Sequence, residues 1–105
     1  MKFGLSEHTI QNIQNVFHSF SVVGEVILFG SRAKGNFKQG SDIDLALKGK
    51  NTTFDDILTL NIRLDALELP YKIDLVNYHT IKDQNVIDHI NRVGIIFYAK
   101  VENVL

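Results

Sequence analysis

Residues 25–47 read EVILFGSRAKGNFKQGSDIDLAL, and the organisation of the chain follows from this stretch. It holds two strands of different character joined by a glycine-punctuated loop. Residues 25–29 form a short apolar run bounded by Gly24 and Gly30, the pattern of a buried strand. Residues 42–48 alternate Asp-Ile-Asp-Leu-Ala-Leu-Lys, the pattern of a half-polar strand. The loop over 30–41 leaves room for one helical turn after Ser31. Successive side chains on a strand take opposite faces, so Asp42 and Asp44 point one way while Ile43, Leu45 and Leu47 point the other. At about 3.3 Å per residue, the two acidic Cα atoms lie roughly 7 Å apart.

Working outward, residues 6–20 place Ile10, Ile13, Val16, Phe17 and Phe20 at helical spacing, with Ser6 as N-cap. A second helix is expected from Thr53 to Leu67. Thr53 and Asp56 have the spacing of a capping box, and Ile57, Leu60, Leu64 and Leu67 form its apolar stripe, with Pro70 beyond its end. Tyr71 to Asn77 alternates as a strand. A third helix is expected from Thr80 to Val93, with Thr80 and Asp83 at its start and Gly94 as its stop. Ile95 to Ala99 makes a short last strand. The order α-β-loop-β-α-β-α-β predicts a compact α/β sheet domain, a single unit over 1–105.

Composition narrows the class. The 105 residues are 45% hydrophobic and 22% charged with no low-complexity run, so an ordered globular core is expected. No apolar run is long enough to cross a bilayer, and the first residues lack the apolar core of a signal peptide, so the expected address is cytoplasmic. The absence of Cys excludes disulfides and thiolate metal sites. A net charge of −1 offers no general attraction to nucleic acid, which is not indicated as a partner.

Asp74 repeats the pattern of the acidic strand, sitting between Ile73 and Leu75. If the two strands are neighbours, three carboxylates share one side of an otherwise apolar sheet. Such charges raise one another's pKa, and burial disfavours ionisation further. Bound Mg²⁺ or Mn²⁺ removes the conflict, because hard divalent ions prefer oxygen ligands. Two ions about 3.5–4 Å apart would suit phosphoryl transfer, with Asp42 and Asp44 bridging them and Asp74 on the nucleophile side.

The loop supplies the complementary half. Gly30 permits a sharp turn, and Ser31 presents its hydroxyl and N–H at the start of a helical turn suited to phosphate. Arg32, Lys34 and Lys38 offer positive charge toward a triphosphate, though Arg32 suits a structural salt bridge equally well. Taken singly these features are ordinary, since an Asp-x-Asp strand often marks a solvated face. Their combination in one short chain points to chemistry. His8, His18, His79 and His89 lack metal-ligand spacing and read as surface or structural residues. Tyr71, Tyr78 and Tyr98 read as packing at strand ends rather than base stacking. Neither a P-loop nor a Gly-x-Ser-x-Gly elbow is present.

Gly30-Ser31 followed by Asp42-Ile43-Asp44 resembles the Gly-Ser-x(10)-Asp-x-Asp signature of the DNA polymerase beta-like nucleotidyltransferase superfamily. Ile73-Asp74-Leu75 matches its third acidic strand. Chain size and element order look most like the minimal nucleotidyltransferase (MNT) branch. The resemblance implies an α+β fold, a mixed sheet with helices mainly on one face. It implies that Gly30, Ser31, Arg32 and Lys34 hold an NTP, expected to be ATP. It also implies that Asp42, Asp44 and Asp74 are the catalytic metal ligands for two Mg²⁺ ions. MNT proteins are commonly paired with helical HEPN-type proteins as antitoxins, and some transfer AMP to a partner tyrosine. The expected activity is therefore Mg²⁺-dependent transfer of a nucleoside monophosphate to a hydroxyl on such a partner.

The residues support a partner independently. Once three strands around the acids and three helices are assigned, nothing remains to form an acceptor-binding wall, yet transfer requires two substrates held in line. A second chain, or a second copy in a homodimer, would supply it. The competing expectation is a non-catalytic module that neutralises a toxin by covering it.

Overall fold

The computed structural model describes residues 1–101. Its elements are α1 (Glu7–His18), β1 (Glu25–Phe29), α2 (Ser31–Lys34), β2 (Ile43–Lys48), α3 (Phe54–Asp65), β3 (Ile73–Asn77), a 3-10 turn (Tyr78–Thr80), α4 (Gln84–Val93) and β4 (Ile95–Ala99). The strands form one sheet in the order β3-β2-β1-β4. β1 runs antiparallel to both β2 and β4, whereas β2 and β3 are parallel, so the sheet is mixed. This is the α+β architecture expected from the sequence.

Local chemistry sets the helix starts. The Ser6 hydroxyl accepts from the Thr9 N–H at 3.1 Å and caps α1. Thr53 and Asp56 close a reciprocal capping box, with the Asp56 N–H reaching Thr53 Oγ1 at 3.1 Å and the Thr53 N–H reaching Asp56 Oδ2 at 2.9 Å. The last helix starts later than its sequence suggests. Asn77 accepts from the His79 N–H at 3.0 Å and the Thr80 hydroxyl donates to the Asn77 carbonyl at 3.2 Å, which commits 78–80 to a 3-10 turn. Asp83 is the cap instead, accepting from the Asn85 N–H at 2.9 Å. Gly94 does end α4, though in an extended conformation. A side chain there would collide with the Ile90 carbonyl and Ile27, so only glycine allows β4 to turn in against β1.

The alternation of β1, β2 and β3 divides the apolar residues between two faces. On one face Val26, Leu28, Ile43, Leu45, Ile73 and Leu75 pack with Ile13 and Phe17 of α1 and Leu60 and Leu64 of α3. This is the main core. On the other face Ile27 and Ala46 meet Ile90 of α4, flanked by Phe29, Val76 and Val86. Two of the three longer helices therefore share a face, and α4 covers part of the opposite one. That second face is where the acids lie.

Candidate active site

Asp44 is two residues from Ala46 on β2, and Asp74 is two residues from Val76 on β3. Both therefore share the face that α4 partly covers. The parallel register pairs Asp44 directly with Asp74, and the antiparallel register pairs Asp44 with Phe29. Asp42 stands just ahead of β2, whose first residue is Ile43. Asp44 is half-buried, while Asp42 and Asp74 are exposed.

This arrangement is electrostatically unfavourable for anions alone. The Asp44 carboxyl is pushed above its ordinary range, first by burial and then by the negative charges of Asp74 and Asp42; His89 opposes the shift. Among the described residues the one ion pair is Lys48–Glu25 at 3.9 Å, so no lysine or arginine neutralises the three acids. Their oxygen-only donor set suits a hard divalent cation. As placed, no three His, Cys, Asp or Glu side chains among the described residues gather closely enough to hold an ion. The exposed side chains of Asp42 and Asp74 would have to turn inward around Asp44, a rotamer change that nothing packed over them opposes.

The Gly-Ser turn is locked to this cluster by contact. Gly30 has φ 74° and ψ −157°, a combination essentially confined to glycine. A Cβ at Gly30 would collide with Asp44 Oδ2. The turn thus passes directly over the carboxylate and delivers Ser31, half-buried, as the first residue of α2. The N–H groups of a first helical turn have no acceptor within the helix. Ser31 therefore offers an anion both a hydroxyl and backbone donors beside Asp44.

Arg32 corrects an expectation. It is 2% exposed, and its guanidinium is consumed by backbone carbonyls: Nε and Nη2 donate to Ser41 at 3.1 and 2.8 Å, Nη1 to Phe3 at 2.8 Å and Nη2 to Gln39 at 3.3 Å. The rings of Phe37 and Tyr71 lie 5.3 and 4.7 Å from its central carbon. Four of its five N–H donors are thereby engaged, and its burial withholds the guanidinium from an incoming nucleotide. It fastens the 36–41 loop and the N-terminal turn to α2, which fixes the chain entering β2. Its counterpart is not the acidic group of a salt bridge but a set of carbonyls. Lys34, the last residue of α2, and Lys38, in the loop that follows, are both exposed.

His89 stands near this cluster, a position that ligand spacing in the sequence does not show. Its ring lies 6.3 Å from that of Phe29 in an edge-to-face arrangement at 80°, next to the cross-strand partner of Asp44. The signal that does find it is helical: Val86, His89, Ile90 and Val93 share the inward face of α4. Several other aromatic and histidine side chains make local contacts away from the acids. Tyr98 packs on Phe17 at 5.9 Å, Tyr78 donates to Asn91 at 2.9 Å, and His8 bonds Asn12. A hollow of about 410 Å³ lies elsewhere, between the end of α1 and β4, while Asp42 and Asp74 are open to solvent.

The family description Polymerase beta, Nucleotidyltransferase matches residues 11–103. This chain belongs to that nucleotidyltransferase family. Its nucleotidyltransferase fold recurs in solved toxin–antitoxin structures. A toxin–antitoxin crystal structure with AMP-PNP contains a chain 21% identical, with a TM-score of 0.67, the match covering 91% of this chain and 75% of that one. A complex of the tri-AMPylated Shewanella oneidensis HEPN toxin with MNT antitoxin gives 17% identity, a TM-score of 0.67 and coverage of 91% and 74%. The toxin–antitoxin MntA–HepT gives 17% identity, a TM-score of 0.65 and coverage of 90% and 74%. None of the curated proteins compared matches the chain.

Proposed function

We propose that this nucleotidyltransferase transfers AMP from ATP, with Mg²⁺, to a hydroxyl group of a helical HEPN-type partner and so acts as the antitoxin of a toxin–antitoxin pair. The observation that carries this reading is the Gly30-Ser31 turn seated on Asp44, itself in register with Asp74. The named contents of the structural neighbours support it: one complex holds AMP-PNP and another an AMPylated HEPN toxin.

In this reading Ser31 and the backbone donors of its turn hold the triphosphate beside Asp44. Asp42, Asp44 and Asp74 would hold the ions, which supply charge neutralisation and a more acidic attacking hydroxyl. Asp44 is the shared element, positioned by both of its neighbouring strands. Asp74, on the β3 side, directs the acceptor hydroxyl. The acceptor oxygen bonds to the α-phosphorus, the bond to the bridging oxygen of the β-phosphate breaks, and pyrophosphate leaves as the hydroxyl proton is released. The acids stand on an open surface, so the partner provides the second wall that excludes water and aligns the hydroxyl.

The test is incubation with α-labelled ATP, Mg²⁺ and the product of the adjacent gene. Label should appear on the partner and disappear with the Asp42→Asn/Asp44→Asn double variant. Equal labelling by a folded double variant would overturn the mechanism.

A second reading, neutralisation by covering the partner, is favoured by a separate observation. Phe54, Leu58 and Ile62 are 80%, 49% and 61% exposed and recur every fourth residue along the outer side of α3, on the sheet face opposite the acids. Full neutralisation by the double variant would select this reading.

A further inference from the structure

We propose that His89 contacts the donor nucleotide, its imidazole donating a hydrogen bond to phosphate oxygens on the side of Asp44 opposite Asp74. The inference rests on the reading of the acids as a nucleotidyl-transfer site and assigns a residue to its donor half.

Three features place the ring. First, the rotation of α4 is fixed by Ile90, which is buried with Ile27 and Ala46, so the preceding residue is carried to the edge of that contact, toward the end of β1. Second, His89 meets Phe29 edge-to-face at 6.3 Å, and Phe29 is both the cross-strand partner of Asp44 and the residue before Gly30. Third, the strand order β3-β2-β1 separates Asp74 from Phe29 by the width of β2. Acceptor and donor sides of Asp44 are thereby distinguished, and His89 stands on the donor side with the Gly-Ser turn.

The chemistry of the site calls for such a group. A triphosphate brings several negative charges to a place already crowded with carboxylates. Arg32 is spent on backbone carbonyls. Among the described residues the one histidine ring engaged in a hydrogen bond is that of His8, so the nitrogens of His89 have no protein partner there. The ring is half-buried and held edge-to-face against Phe29, which limits its rotamers. Neutral and protonated imidazole both present a donor, so the contact does not depend on the charge state. The closeness of His89 to Asp44 is also felt in the carboxyl, which His89 draws down while Asp74 and Asp42 push it up.

The test compares His89→Leu, which keeps apolar packing against Phe29 without a donor, with His89→Gln, which restores an N–H. Binding of a non-hydrolysable ATP analogue with Mg²⁺ is measured by calorimetry on the full chain, alongside KM for ATP and kcat in partner labelling. His89→Leu should weaken analogue binding and raise KM about tenfold, the scale of one hydrogen bond to a charged group, with kcat changed much less. His89→Gln should recover most of that loss. Equal binding by the wild type and His89→Leu overturns the proposal, as does a His89→Gln variant no better than His89→Leu. A wild type that binds no MgATP analogue at all overturns both this assignment and the functional reading beneath it.

Discussion

Gly30 lies so close to Asp44 that any side chain at position 30 would occupy the space of the Asp44 carboxylate. The contact joins the Gly-Ser turn to the acidic strand without a hydrogen bond, through shape alone. It also explains why the turn takes a backbone conformation that other residues avoid.

Gly30→Ala should therefore damage stability and activity together. The substitution adds backbone strain of about 1–3 kcal/mol and displaces Asp44 or Ser31. A displacement of about 1 Å from productive geometry is worth on the order of a hundredfold in rate. Gly35→Ala is the control, because Gly35 has φ 88° but a methyl group there would meet nothing within 4 Å. It should cost about 1–2 kcal/mol for the left-handed backbone and leave transfer nearly intact. Denaturant melts and partner labelling of the two variants separate strain from site disruption.

Arg32 gives a different signature. Four charge-assisted hydrogen bonds to three backbone carbonyls disappear in Arg32→Ala, leaving part-buried acceptors unpaired. The expected loss is about 3–5 kcal/mol, from the penalty on each orphaned group. Arg32→Lys should recover little, since a single ammonium cannot replace the planar fork. If Arg32 instead served the nucleotide, both variants would raise KM for ATP while unfolding at the wild-type denaturant concentration.

The contrast between Arg32 and Asp44 shows where the sequence was informative. Alternation along 42–48 and 71–77 was enough to put the acids on one face, because strand periodicity is a local property. The pairing of Asp44 with Asp74 depends on β2 and β3 being neighbours, which local pattern only allows. Arg32 was ambiguous because its partners are carbonyls of Phe3, Gln39 and Ser41, groups every residue carries and no motif marks. His89 was hidden for a related reason: its neighbour Phe29 comes from a strand 60 positions away, and α4 had to be docked before the contact existed. The helix starts followed the same rule. Thr53 and Asp56 cap as read, whereas Thr80 was diverted by Asn77 into a competing turn.

Thr53→Ala tests the capping box away from the site. It removes the acceptor for the Asp56 N–H at the start of α3. Stability should fall by about 1 kcal/mol, the usual scale for an N-cap. Nucleotide binding should not change, because α3 packs on the face opposite the acids. A matching loss of analogue affinity in calorimetry would show that α3 is coupled to the site.

Asp44 carries the pH dependence. Its carboxyl is raised in the folded protein by burial and by Asp74 and Asp42. Between the unfolded value of 3.8 and the raised folded value, the folded state binds more protons than the unfolded one. The Asp44 contribution is therefore fully present below pH 3.8 and lost as pH rises through the folded pKa. Above that window the ionised carboxylate destabilises the fold, moderated by its partial exposure to solvent. In chelator, Asp44→Asn should thus be more stable than the wild type near neutral pH, with the advantage shrinking as the buffer is taken below the carboxylate range. Adding Mg²⁺ should reverse the order, because an ion bound to the folded state stabilises only the chain that retains its ligand. Denaturant midpoints for both proteins at neutral and acidic pH, with chelator and with Mg²⁺, measure each part. A wild type that outlasts Asp44→Asn in chelator at neutral pH would mean that the carboxylate is already compensated by the protein, and the case for a cation at this cluster would fail with it.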